Sequence, residues 1–242
     1  MLGVLPPDDH ADNFLLKVGR TGSHRTQAYR ALAYRVRQAA NPDGAGSVLI
    51  VAPRADVATG GVAANLAAAL AECGDQVLLV DADPEASNLT ALLPLVTDGT
   101  PAPPEAPVGT ALVDAGSAGR FAVCSSDKTE ADTSSSIHRL LPDADAATAA
   151  VVVTRPLLEH ADALVIAQRV DGVVLVAGLD VTRRGDLRLV QEMIGSSGGR
   201  LLGAVLDTER PRRRFRLRRR TKLQPTLDIS PSATEPPRSL TP

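Results

Sequence analysis

Short, nearly continuous apolar runs alternate along this chain with stretches in which apolar residues return every three or four positions. The runs SVLIVA (47–52), QVLLVDAD (76–83), RFAVCSS (120–126), AAVVVT (149–154), GVVLVAG (172–178) and RLLGAVLD (200–207) read as strands. They lack an inside–outside alternation, which predicts burial on both faces, the habit of parallel strands. The stretches SHRTQAYRALAYRVRQAA (23–40), GGVAANLAAALAECG (60–74), LLEHADALVIAQRV (157–170) and RRGDLRLVQEMIGSSG (183–198) carry the helical period. Ser23 and Thr182 stand where the N-caps of the first and last of these belong, and Gly74 stands where the second should stop. Strand and helix in turn predict an α/β fold: a mostly parallel β-sheet flanked by helices on both faces, a Rossmann-like three-layer sandwich.

The remaining stretches are weakly patterned. Residues 1–22 read as a flexible N-terminal lead-in, TDGTPAPPEAPVG (97–109) as a proline-rich loop and DKTEADTSSS (127–136) as a polar one. The patterned domain runs over 23–208, and 209–242, basic and then rich in Pro, Ser and Thr, reads as a disordered tail.

Composition narrows this picture. With 44% hydrophobic but only 2% aromatic residues and no Trp, the core must be built from Ala, Val and Leu. The opening MLGVLPPDDHADNF lacks the apolar run of a signal peptide, and no run reaches bilayer length, so a cytoplasmic location is expected. Two cysteines suit a reducing compartment, and four scattered histidines show no metal-ligand spacing, so no metal site is expected. From Thr208 onward ten Lys/Arg face three acidic residues, a charge of +7 that leaves −9 on the rest. An acidic body with a basic tail points to two separate tasks.

In sheets of this kind ligands sit beyond the carboxyl ends of the strands, so the turn after 47–52 is the place to look. A phosphate loop needs glycines that let N–H groups converge, a Lys for the β- and γ-phosphates and a Ser/Thr hydroxyl for magnesium. Here the turn reads APRADVATGG. Gly60 and Gly61 meet at the helix start, there is no Lys from Val48 to Val80, and Arg54 is the only cation, several residues early. A plain tight turn and a weak anion site at the helix start are both open readings. The second sharp feature is RPRRRFRLRRRTK (210–222), eight Arg and one Lys in thirteen residues. Arg212, Arg213, Arg214, Arg216, Arg218, Arg219 and Arg220 could meet an anionic membrane or nucleic acid, or remain a solvated end. Phe215 and Leu217 among them favour the membrane surface.

Four segments in order carry a family resemblance. QAYRALAYRVRQA resembles an opening EAYRxLRTNLxF helix, and AANLAAALAECGDQVLLVDADPEASNLTALL the helix and acidic second strand that follow a phosphate loop. TRPLLEHADALVIAQRVDGVVLVAGLDVTRRGDLR resembles DTPPVLxVTDALILAxxxDGVLLVVRxxxTTRRDLR, and LLGAVLDTERPRRRF resembles VLGVVLNxxDxRRRY. Together they make roughly residues 23–215 similar to the cytoplasmic domain of the bacterial tyrosine kinases (BY-kinases) of capsule and exopolysaccharide export, within the MinD/ParA group of P-loop ATPases.

The resemblance implies a P-loop NTPase-like fold, yet carries over little of the chemistry. The GKS/T of the phosphate loop falls on Ala58, Thr59 and Gly60, so Thr59 replaces the Lys. The Walker B Asp falls on Val153, the Arg of DxDxR on Glu85, and the base-reading Asn on Asp207. The ExxRxxR oligomer contact falls on Gln27, Arg30 and Ala33. Asp81 and Asp83 are retained, and the two tyrosines, Tyr29 and Tyr34, both lie in the first helix, leaving no C-terminal tyrosine cluster. Thr59, Gly60, Gly61, Asp81 and Asp83 thus form a vestigial nucleotide site with no catalytic residue and no expected cofactor; Gln27 and Arg30 are the candidate oligomer or partner contacts. The function implied is a catalytically inactive adaptor or regulator of cell-surface polysaccharide synthesis or export at the inner face of the membrane. Its partners would be a membrane protein resembling the polysaccharide co-polymerases and an anionic lipid surface, with homo-oligomers compatible and nucleic acid less favoured. The alternatives are a divergent ATPase or tyrosine kinase that uses Mg-ATP, and a MinD/ParA-like positioning protein on membrane or DNA.

Overall fold

A computed structural model of the protein describes residues 1–7, 23–42, 46–55, 57, 59–83, 89–102, 107, 109–125 and 148–209. The strands are β1 (Gly3–Leu5), β2 (Ser47–Val51), β3 (Gln76–Asp81), β4 (Ala111–Asp114), β5 (Arg120–Ser125), β6 (Thr148–Val153), β7 (Gly172–Gly178) and β8 (Leu201–Asp207). The helices are α1 (His24–Ala40), α2 (Thr59–Glu72), α3 (Leu89–Leu92), α4 (Asp162–Ala167) and α5 (Arg184–Ser196), with a 3₁₀ turn at Gly116–Ala118. The eight strands form one sheet in the order β1-β8-β7-β2-β6-β3-β5-β4. All strand pairings are parallel except β4 with β5; Val113 of β4 also forms an isolated antiparallel bridge with Leu95. The expected mostly parallel α/β fold is therefore the fold found.

Alternate residues of each central strand enter two separate cores. Val48, Ile50, Val77, Leu79, Val151, Val153, Val174 and Val176 pack with Tyr29, Leu32 and Val36 of α1 and with α2. Leu49, Val51, Leu78, Val80, Val152, Val173 and Leu175 pack with Ala163 and Ile166 of α4 and Val190 and Ile194 of α5. Burial on both faces is why the strand sequences are apolar without a break. Helix α2 is buried continuously from Val62 to Leu70, as a helix apolar all round must be, and its run of alanines lets it sit close to the sheet. It ends as expected: Gly74 takes φ +89°, its N–H reaches the Ala71 carbonyl, and the Asp75 N–H reaches Leu70, the Schellman pattern.

Several expectations need correction. Part of the lead-in is structured, since Gly3–Leu5 is an edge strand parallel to β8; residues 8–22 lie outside the described residues. The unassigned stretch after the proline-rich loop contains β4, the antiparallel edge. The helix expected over 157–170 is confined to 162–167. Its first residues are turns whose N–H groups are used elsewhere, Leu157 on the Ala52 carbonyl (3.0 Å) and Leu158 on the Pro53 carbonyl (3.1 Å). Ser23 flanks α1 but makes no side-chain cap bond. Thr182 does not cap α5; its hydroxyl accepts the Gly178 N–H (2.9 Å) and closes the turn after β7. Backbone proximity divides the chain into Met1–Pro211 and Arg212–Pro242, and the second unit lies outside the described residues.

Candidate functional site

The strand order places the turn after β2 at the carboxyl edge of the sheet, with β6 and β7 on either side of its strand. β3, the strand that follows α2 in sequence, lies one place further away because β6 is inserted between them. Helix α2 packs on one face of the sheet and α4 and α5 on the other, so connections leave toward opposite faces here, the usual ligand position in such sheets.

The turn is tied down at four points. Besides the Ala52 and Pro53 carbonyls already described, the Ala55 N–H donates to Glu159 Oε1 at 3.2 Å. Arg54 grips Asp186 with two prongs, Nε to Oδ2 at 2.8 Å and Nη2 to Oδ1 at 3.1 Å. The Arg54 side chain is 50% exposed while that of Asp186 is only 15% exposed, so the carboxylate lies shielded beneath its partner. The paired guanidinium holds the Asp186 carboxyl below its ordinary range, with Arg183 adding in the same direction. Gly178 at the end of β7 allows a close approach here, since a Cβ would stand 3.3 Å from Val57.

Thr59 and Gly60 open α2, and Gly61 follows in its first turn; all three are partly exposed. The Thr59 N–H is used locally, on the Val57 carbonyl at 3.0 Å, and the Gly61 carbonyl accepts from Asn65 Nδ2 at 2.8 Å. Ala58 lies outside the described residues. Asp81 ends β3, buried at 3% exposure, and its Oδ1 accepts the Asp83 N–H at 3.2 Å; Asp83 is partly exposed. In register beside Asp81 are Val153 on β6 and Ser125 on β5. Where a second carboxylate would face Asp81, the apolar Val153 packs into the core shared with α2. Next to Asp81 the Cys124 thiol is pushed up to about 12, by burial first and by the Asp81 carboxylate second.

The structure thus gathers Thr59, Gly60, Gly61, Asp81 and Asp83 around one edge of the sheet but leaves two other candidates apart from it. Gln27 is exposed on α1. Arg30 is engaged within the chain, with Nε 2.7 Å from Glu72 Oε2 and Nη2 2.5 Å from Oε1, joining α1 to α2. The arginines at 212–220 lie outside the described residues.

Three residues that sequence reasoning passed over prove central. Arg25 is 6% exposed and meets Asp207 on β8, with Nη1 3.0 Å from Oδ1. It also donates to the Pro6 carbonyl (2.6 Å), lies 3.2 Å from Glu209, and stands over the Tyr29 ring at 5.6 Å. The position matching a base-reading Asn is thus turned inward onto an arginine. Glu159 and Asp186, the two carboxylates on the turn, carried no sequence signal beyond being acids near element starts.

The topology and the acidic end of β3 define a P-loop NTPase-like α/β domain. A family model for the CobQ/CobB/MinD/ParA nucleotide binding domain matches residues 61–216, and the chain belongs to that family. The match begins at Gly61, so the turn at 52–60 lies before it. Among solved structures the kinase domain of the Escherichia coli tyrosine kinase ETK is similar at TM-score 0.66 and 19% identity, covering 86% of this chain and 90% of that one. The chimerical protein CapA2B2 gives 0.65 and 18% (86% and 93%), and the BceF tyrosine kinase domain 0.64 and 16% (86% and 92%). No curated protein matches the chain significantly. Among the described residues no helix is long and apolar enough to cross a membrane.

Proposed function

We propose that this chain is a BY-kinase-like pseudo-ATPase, a domain that keeps the nucleotide-binding fold without the phosphoryl-transfer chemistry. It acts as an adaptor or regulator in cell-surface polysaccharide synthesis or export. The observation that carries this reading is the pairing of Asp81 with Val153 across β3 and β6, beside a turn whose cation faces Asp186. Phosphoryl transfer depends on positioning and charge neutralisation, with little covalent help from the protein. Removing one such stabiliser typically costs about 2.7–4 kcal/mol. The Lys, the hydroxyl ligand and the Walker B carboxylate are all replaced, by Thr59, Gly60 and Val153. The residues present therefore do not fit magnesium-ATP, and no step is routed through it. Solved structures similar in fold include tyrosine kinase domains, which supports the BY-kinase-like reading.

In this reading the domain works at the cytoplasmic face of the membrane. The arginine-rich segment meets anionic lipid, and a membrane protein resembling the polysaccharide co-polymerases is the partner. Gln27 on the outer side of α1 is a contact candidate. A divergent ATPase is the second reading, favoured by the retained pair Asp81 and Asp83.

Isothermal titration with Mg-ATP separates the two. The pseudo-ATPase shows no affinity tighter than about millimolar, and Thr59→Lys alone does not restore it, because Val153 still occupies the magnesium side. Micromolar binding, or ATP turnover lost in Asp83→Ala, would establish the enzyme instead. Incubation with ATP should likewise give no phosphopeptide bearing Tyr29, which is buried, or Tyr34, which is 66% exposed.

A further inference from the structure

We propose that the α5 side of the sheet at strands β8 and β1 is a docking surface for an acidic amphipathic helix of a partner protein. This rests on the adaptor reading only for the existence of a protein partner, and it does not depend on whether nucleotide binds.

β8 lies inside the sheet, between β1 and β7, yet Leu201, Leu202, Gly203, Ala204 and Leu206 are only partly buried, whereas every residue of β7 is buried. Register shows where the cover is lost. Ala177, Leu206 and Val4 stand side by side across β7, β8 and β1. Their chain neighbours Val176, Val205 and Leu5 belong to the core shared with α1 and α2, so this row faces the other way, toward α5. Ala204, two positions before Leu206, packs against the core that holds Val190 and Ile194 of α5. Along the row exposure rises from 7% at Ala177, through partial burial at Leu206, to 43% at Val4. Leu179, 41% exposed, lies just past the end of β7 with its N–H on the Asp207 carbonyl at 2.8 Å. Strands in a parallel sheet normally have both faces covered. Here α1 covers one face of β1 and β8, and the cover from α5 thins out across the other. Two strands span about 10 Å, the width of one α-helix.

The wall of this apolar floor is charged. Helix α5 sets Val190 and Ile194 into the core and turns Asp186 toward Arg54, in the segment after β2. At about 3.6 residues per turn, Arg184 and Arg188 fall on the opposite flank, and β8 lies on the far side of β7 from β2. Both arginines are exposed. Six described arginines are held in ion pairs, and Arg35 and Arg200 reach main-chain carbonyls. Arg184 and Arg188 make no hydrogen bond or ion pair among the described residues; the exposed acids Asp180 and Glu192 pair with neither.

Charge and shape together select the occupant. An apolar floor beside two unengaged guanidiniums fits a helix with an apolar stripe and Asp or Glu along one flank. Arginine–carboxylate pairs would then fix its register. A second copy fits less well, because a two-fold contact brings the same arginines to both sides. An added strand would find only three residues of edge in β1.

The test places the photocrosslinker p-benzoylphenylalanine at Val4 of the full chain, in the cells that express it, and sequences the crosslinked segment. The expected adduct is one protein segment with apolar residues at helical spacing and acids on one flank. Arg184→Glu/Arg188→Glu, folded by circular dichroism, should lower its yield at least about tenfold, since like charges then face each other. A synthetic peptide of the captured segment should bind wild type in a salt-sensitive way and lose affinity when its acids are replaced by amides. Absence of a protein adduct would overturn the proposal, as would a crosslink only to lipid, to a second copy or to a segment without acids. A yield indifferent to the arginine reversal would do the same. Should the Val4 derivative not fold, the crosslinker at Leu179 carries the test. The same crosslinker at Gln27 separates the two readings: an adduct there without one at Val4 keeps a protein partner and removes this surface.

Discussion

Arg25 and Asp207 form an ion pair at 3.0 Å with side chains only 7% and 9% exposed, joining the first turn of α1 to the last residue of β8. The pair lies 182 residues apart in sequence. Because Arg25 also reaches the Pro6 carbonyl and Glu209, one guanidinium ties together the segment after β1, the start of α1 and the end of β8.

Removing one partner should therefore be costly. Asp207→Asn leaves a buried cation with fewer acceptors, a change that typically costs about 3–5 kcal/mol. The lower end is expected, since Pro6 and the partly exposed Glu209 remain. Urea unfolding of the variant measures this, and a loss below about 1 kcal/mol would show that the pair has little structural weight. The double replacement Arg25→Met/Asp207→Leu should recover much of the loss, because it removes both desolvation penalties.

Alkaline pH should destabilise the protein through Cys124. Its thiol is pushed up to about 12 in the fold from an ordinary value of 9.0, so the folded state holds the proton more tightly than the unfolded chain. The stabilisation is thus complete below pH 9 and is lost as pH rises toward 12, with a slope of about 1.4 kcal/mol per pH unit in that window. Burial also raises the Tyr29 hydroxyl, which adds in the same direction at higher pH. Unfolding midpoints of wild type and Cys124→Ala between pH 8 and about 10.5 test this window. Parallel curves would remove Cys124 from the account, whereas a shallower decline in the variant supports it.

Gly172→Ala should destabilise the β7–β8 pairing for reasons of space alone. Its backbone is one any residue could adopt, but a Cβ there would overlap Cγ, Cδ1 and Cδ2 of Leu202. Overpacking of this kind costs about 1–3 kcal/mol. Thermal melts should show the loss, and Gly172→Ala combined with Leu202→Ala should recover part of it. A single variant as stable as wild type would mean Leu202 has room to move.

The arginine-rich segment should govern attachment to lipid. At about 1 kcal/mol per cation near an anionic surface, several contacts would suffice. Full-length protein should sediment with phosphatidylserine-containing vesicles at low salt and be released as salt rises. The control ends at Glu209, because Thr208 donates to the Leu5 carbonyl through N–H (3.0 Å) and Oγ1 (2.8 Å), and Glu209 meets Arg25. Equal sedimentation of this control would assign attachment to another surface or to a protein partner.

The central strands and the long helices were legible in the sequence because double burial and helical packing each impose a period on apolar residues. Val48–Val51, Val77–Val80 and Val173–Val176 are apolar since helices cover both sides, and α2 is rich in alanine because it is buried from Val62 to Leu70 in the core it shares with α1 and the sheet. Gly74 marked a helix end by the one conformation it alone adopts without strain. The absence of a Lys from Val48 to Val80 could likewise be read directly, whereas the match of Val153 to an acidic position is what the family resemblance implies.

What tertiary structure decided were relations between distant residues, which leave no local period. Gly3–Leu5 is a strand only because β8, some two hundred positions later, offers it an edge. The helix expected from Leu157 starts five residues late, the residues before it forming turns in which Leu157 and Leu158 donate to the Ala52 and Pro53 carbonyls of a segment about a hundred positions earlier. In sequence Arg30 read as a candidate oligomer or partner contact, and Arg54 as a cation several residues too early for a phosphate loop. The fold supplies Asp186 and Glu72 instead, since a carboxylate of the same chain needs no further loss of translational freedom to bind, whereas a ligand does.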